Sequence, residues 1–204
     1  MRTNKTKAKL KAGEVVIGCA ITHPSPYLVE LMGALGFDYV FIDCEHGSMG
    51  YSEVEDMVRA AELFDMTPIA RVPENSPSTI LRFLDRGVMG IMVPHISTRA
   101  EAEAAVRATK YFPEGERSSY TGGRTSQFGT RGLTPRQFYE HWNRETMVIA
   151  LVESREGLEN IQEIASVPGV DVVNIGSNDL AQSLGLPDQK VVEDAIHRII
   201  DATI

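Results

Sequence analysis

The 204-residue chain is 43% hydrophobic and 24% charged, enough apolar content to bury one large core. Its formal net charge of −8 excludes a general nucleic-acid binder, which needs a basic face, and gives no attraction to an anionic membrane surface. Two cysteines, Cys19 and Cys44, exclude a disulfide framework, and no apolar run approaches the ~18 residues of a membrane span, so a cytoplasmic protein is expected.

In chain order, Lys5, Lys7, Lys9 and Lys11 come first and end at Gly13. Residues 1–13 read as a solvated leader or a short amphipathic helix, and residues 14–204 as one domain. From residue 15, short Val- and Ile-rich runs alternate with helical stretches. The runs cover 15–21, 39–42, 68–72, 90–93, 147–152 and 170–175. Near-continuous apolar strands suit a parallel sheet buried on both faces. Helical spacing marks 52–63, 99–111, 156–166 and 191–203. This alternation predicts a barrel or a doubly wound sheet. Polar residues stand just after several strands: Asp43, Glu45 and His46, then Arg71, His95, Glu153 and Asp179. A (β/α)₈ TIM barrel builds its site there, and no Gly-rich phosphate turn points to the alternative. Only six strands are legible, against the ~250 residues such barrels usually take, so strands seven and eight are expected to be missing from a truncated chain. The Gly- and Ser-rich segment 112–144 breaks the rhythm and is expected to be a mobile or interface loop on the active face, with 120–128 in a specificity wall.

Glu153 and Asp179 end neighbouring strands, so both carboxylates belong at one rim. They repel unless a cation lies between them, and hard oxygens suit Mg²⁺ or Mn²⁺; helix capping is the alternative role. No zinc spacing is present. His46 is either an idle loop histidine or a general base, with Asp43 three residues earlier to hold its tautomer. Arg71 ends a strand facing the barrel mouth, where it needs an anion. The turn at Gly176 and Ser177 leads into a helix and offers backbone amides to a carboxylate. None of the six lysines lies on a predicted strand, so a Schiff-base aldolase has no candidate nucleophile. His95, His141 and Trp142 receive no role.

These motifs, in this order, resemble the HpcH/HpaI aldolases, the metal-dependent pyruvate aldolases. They are Gly36-Phe37-Asp38 to Glu45-His46-Gly47, Ala70-Arg71-Val72-Pro73, Leu84-Asp85-Arg86-Gly87 to Val93-Pro94, Val152-Glu153-Ser154-Arg155-Glu156-Gly157 and Ile175-Gly176-Ser177-Asn178-Asp179-Leu180. The likeness runs from about residue 10 to the end. It implies a (β/α)₈ barrel assembling as a homo-oligomer, a hexamer or trimer. It implies Mg²⁺, Mn²⁺ or Co²⁺ on Glu153 and Asp179, chelated by pyruvate. Arg71 then meets the keto oxygen, His46 with Asp43 acts as acid/base, Asp85 orients Arg71 or His46, and Gly176 and Ser177 meet the carboxylate. The implied reaction cleaves a 4-hydroxy-2-oxo acid to pyruvate and an aldehyde. Ser177 stands where many relatives have proline, and Ser154 where they often have threonine. Two alternatives stay open: a citrate-lyase-like enzyme acting on a CoA thioester, and a catalytically silent homologue.

Overall fold

The computed structural model describes residues 1–203. Its strands are β1 (Gly18–Ile21), β2 (Tyr39–Asp43), β3 (Thr67–Arg71), β4 (Gly90–Val93), β5 (Met147–Val152) and β6 (Val172–Ile175). They form one sheet in the order β1 to β6, with every neighbouring pair parallel. Strictly consecutive order is that of barrel staves; a doubly wound sheet reverses its order at a switch point. Within the described residues β1 and β6 are the edges.

The helices are α1 (Lys5–Lys11), α2 (Pro26–Ala34), α3 (Tyr51–Glu62), α4 (Pro77–Asp85), α5 (Arg99–Thr109), α6 (Pro135–Glu145), α7 (Arg155–Glu159), α8 (Ile161–Ala165), α9 (Ser177–Ser183) and α10 (Gln189–Thr203). Local sequence starts several of them. Thr98 with Glu101, and Thr134 with Gln137, form reciprocal caps that satisfy first-turn amides. Among the described residues no helix is long and apolar enough to cross a membrane.

Strand residues alternate between two cores. Val40, Ile42, Ala70, Ile91, Val148 and Ala150 face the helices. Ile69, Met92, Met147, Ile149 and Leu151 face the other way with Tyr39 and Phe41. That second face lines an open apolar hollow of about 300 Å³. The period of two extends past the strand ends. The parity of Tyr39 and Phe41 puts Asp43 on the inner face, that of Ile69 puts Arg71 there, and that of Leu151 puts Glu153 there.

Three expectations need correction. The leader is not a solvated tail. Asn4 caps α1 by accepting from the Lys7 amide at 2.9 Å, and its own amide donates to Glu145 Oε2 at 2.8 Å. Lys7 Nζ is buried, donating to Thr146 O and pairing with Asp171 at 2.9 Å. The helix is held at the base of the sheet because its alternate lysines find acceptors there. Second, the stretch 156–166 is two helices. Asn160 ends α7 and begins α8; its backbone amide donates to Glu156 O at 2.9 Å, and its side-chain amide donates to Ser97 O at 2.9 Å. Third, 112–134 lies at the base, not on the active face. The segment leaves the end of α5 and returns through α6 to the start of β5. Arg117 binds Asp85 at the end of α4, and Arg124 pairs with Glu62 at the end of α3. Helix ends and strand starts share that edge of a parallel sheet.

Candidate active site

At the opposite edge the strand ends bring Asp43, Arg71 and Glu153 together. Arg71 holds Asp43 with both arms of its fork, Nε to Oδ1 at 3.0 Å and Nη2 to Oδ2 at 2.5 Å. The Asp43 carboxylate also accepts the amides of Glu45 and His46, at 3.1 and 3.2 Å. This turn is tight: a side chain at Gly47 would lie 2.0 Å from Asp43 O. Burial pushes the Asp43 carboxyl up, but the guanidinium and the two amides outweigh it and hold it below its ordinary range. Burial likewise works against the Arg71 charge, and Asp43, Glu45 and Glu153 outweigh it.

The sequence reading did not assign Glu45 or His95, and both join the cluster. Glu45 Oε2 lies 3.2 Å from Arg71 Nε, and its Oε1 lies 3.2 Å from His95 Nε2. His95 Nδ1 lies 2.9 Å from Glu153 Oε1, and the His95 amide donates to the same oxygen at 2.8 Å. A polar residue directly after a strand was the available signal for both. Their pairing was not legible, because it depends on His95 adopting φ of +56°.

Glu153, like Asp43, is buried, with its side chain 3% exposed. Burial pushes its carboxyl above the usual range; the His95 contacts pull it back, and the charges of Glu45 and Asp179 push it up further. Asp179 lies in the first turn of α9, within electrostatic reach. Gly176 permits this approach, because a side chain there would come within 2.5 Å of Glu153 Oε2. Asp43, Glu45 and Glu153 thus lie around a single guanidinium, and Asp179 acts on Glu153. A buried carboxylate under repulsion fits a hard divalent cation. No group of three or more His, Cys, Asp or Glu able to hold a metal occurs among the described residues. Two protein oxygens with remaining positions left to water or substrate is how Mg²⁺ is commonly held.

Four expected roles change. The His46 imidazole is not oriented by Asp43, whose oxygens are taken by Arg71 and two amides; the ring is exposed, with Glu45 Oε2 at 4.0 Å. Asp85 touches neither Arg71 nor His46. It lies at the base, 2.9 Å from the buried Arg117, because α4 carries it to the other edge of the sheet. The Gly176 amide donates to Val152 O at 3.1 Å and is not available to a carboxylate. Ser177 opens α9, so its amide lacks an intrahelical acceptor. Arg71 meets its anion within the chain, in Asp43.

Neither Cys44 nor Lys110 offers this mouth a nucleophile. Cys44 is buried, and its thiol is pushed up to about 12, which makes it inert. Lys110 is buried and lowered to about 8, but it binds the carbonyls of Asn143 and Thr146 at the base.

The sequence profile of HpcH/HpaI aldolase/citrate lyase matches residues 17–203. A 5-keto-4-deoxy-D-glucarate aldolase of Shigella sonnei is 36% identical over 182 residues, covering 89% of this chain and 70% of that one. The crystal structure of an HpcH/HpaI aldolase/citrate lyase family protein from Burkholderia cenocepacia superposes with a TM-score of 0.90. It is 32% identical, and the match covers 98% of this chain and 80% of that one. A structure of the citrate synthase SbnG matches with a TM-score of 0.85 and 34% identity over 97% of this chain and 76% of that one. With the motifs, the consecutive parallel strands and these matches agreeing, the chain belongs to the HpcH/HpaI aldolase/citrate lyase family.

Proposed function

We propose that the protein is a divalent-metal-dependent aldolase that reversibly cleaves a 4-hydroxy-2-oxo acid to pyruvate and an aldehyde. The observation that carries this reading is the charge imbalance at the mouth: three carboxylates around one arginine, with a fourth, Asp179, adding to the repulsion on the buried Glu153. Glu153 and Asp179 would hold Mg²⁺, Mn²⁺ or Co²⁺. The ion supplies Lewis-acid stabilisation of negative charge on the keto oxygen. Arg71, fixed by Asp43 and Glu45, presents its remaining N–H to that same oxygen. His46 Nε2, exposed at the rim, takes the proton of the 4-hydroxyl. The bond between C3 and C4 would then break, its electron pair forming the C2–C3 double bond as the carbonyl π pair moves to the keto oxygen, and the aldehyde would leave. The proton taken up by His46 would be returned to C3 as the carbonyl re-forms, completing pyruvate. The Ser177 amide is the remaining backbone donor for the substrate carboxylate. The six strands are read as an arc of an eight-stranded barrel, and the chain as a protomer of a homo-oligomer.

Similarity to a citrate synthase supports a second reading, condensation of an enolate with a keto acid, which runs the same carbon–carbon chemistry forward. The test that serves both readings is exchange of the pyruvate methyl protons for deuterium, followed by NMR. Metal-stripped protein should be silent, added Mg²⁺, Mn²⁺ or Co²⁺ should start exchange, and Glu153→Gln should abolish it. Silence with all three ions overturns the aldolase reading and favours a silent homologue. Aldehydes and keto acids supplied with pyruvate then separate cleavage from condensation.

A further inference from the structure

His95 has a left-handed backbone, uncommon for any residue other than glycine. Its φ of +56° lies in the left-handed region, which favours glycine and asparagine. Its neighbours hold it there. The Ile96 amide donates to Leu151 O at 3.1 Å, Ser97 Oγ meets Ser154 Oγ at 2.7 Å, and Asn160 binds Ser97 O at 2.9 Å. Backbone strain kept in place by over-determined surroundings points to a functional demand on the side chain.

That demand is visible in the contacts. Both the His95 amide and Nδ1 address Glu153 Oε1, so this oxygen is saturated. Glu153 Oε2 is left facing Gly176, on the side of Asp179. Glu45 is used at both ends, by His95 Nε2 and by Arg71 Nε. The result is one chain of polar contacts, Asp43–Arg71–Glu45–His95–Glu153, joining the arginine half of the mouth to the carboxylate half.

We propose that His95 is a positioning residue: it clamps Glu153 Oε1 so that Glu153 binds the cation through Oε2 alone, and through Glu45 it ties that carboxylate to Arg71. The clamp rests on the metal-dependent reading given above. It assigns His95 to the carboxylates and not to the metal.

The test compares His95→Gly with His95→Asn. Glycine accepts the left-handed backbone, so the fold survives without the imidazole. Asparagine accepts it too and restores a donor near Nδ1. Calorimetric titration of metal-stripped protein with Mn²⁺ should show binding weakened about 10- to 100-fold in His95→Gly and partly recovered in His95→Asn. With pyruvate exchange as the activity, kcat should fall along with metal affinity. An unchanged Mn²⁺ affinity in His95→Gly overturns the clamp. So does a directly bonded nitrogen in the electron spin-echo spectrum of the Mn²⁺ protein, since His95 would then be a ligand. Wild-type protein that binds no Mn²⁺ sinks the functional reading instead. The clamp is then decided in the metal-free protein from the imidazole ¹⁵N shifts of His95. Glu153→Gln and Glu45→Gln should each move them, and shifts that stay put in both variants overturn it.

Discussion

The two edges of the sheet carry similar numbers of polar groups and handle them in opposite ways. At the base, Asn4, Lys7, Lys110, Asn143 and Glu145 are buried and find partners in backbone carbonyls, amides or opposite charges. At the mouth, three carboxylates share one arginine, a fourth, Asp179, adds its charge beside Glu153, and two histidines stand exposed beside them. A balanced set of buried polar groups holds a structure together. An unbalanced, half-exposed set is costly to the fold and persists where a ligand completes it. The contrast separates the lysines as well. Lys110 is desolvated as a Schiff-base lysine would be, but it lies at the wrong end of β5 from Glu153.

Substitutions at each edge can break or sharpen this contrast. The largest effect is expected from Arg71→Ala, which should lower pyruvate exchange by about 10²–10³-fold, as losing a fixed charge at an oxyanion does. Circular dichroism should show the fold retained; near-normal exchange would remove Arg71 from the mechanism. Next is Asp85→Asn at the base. It leaves the buried Arg117 guanidinium without its carboxylate, so urea unfolding should show a loss of about 2 kcal/mol, discounted for the partial exposure of Asp85. Gly176→Ala returns to the mouth. Its methyl would collide with Glu153 Oε2 and, at 2.7 Å, with Glu153 Cβ, so Mn²⁺ affinity should fall about tenfold and the unfolding midpoint should fall with it.

A pH dependence is expected at the base as well. Lys110 has a folded value of about 8 against an ordinary 10.5, mainly through burial, with the charge of Lys7 adding to it. Between those values the unfolded chain holds a proton that the folded chain has released, so stability rises with pH. Below about 8 both states are protonated and the cost of burying the charge is present in full. The difference in unfolding free energy between wild type and Lys110→Met should therefore climb, by about 3 kcal/mol, from pH ~8 to ~10.5. A flat difference would mean that Lys110 is not desolvated.

Much of this architecture was legible in the chain itself. Apolar runs located all six strands, because a parallel strand buried on both faces has to be apolar throughout. The alternation of strand and helix carried the order, and parity carried Asp43, Arg71 and Glu153 to one face. Those are local properties, fixed by backbone geometry within a few residues. Contacts between distant segments were not legible. Asp85 and the 112–134 segment lie at the base because a helix reverses the chain, and a charge has the same letter at either end of a helix. Asp43 was expected to serve His46 three residues away and instead serves Arg71 twenty-eight residues away. Glu45 and His95 entered the site only through the fold, which brings the end of β2, the turn after β4 and the end of β5 within hydrogen-bond reach. Residue types and strand ends follow from the sequence, whereas partners are chosen by the packing of the strands into one sheet, which decides which charges must share a low-dielectric space.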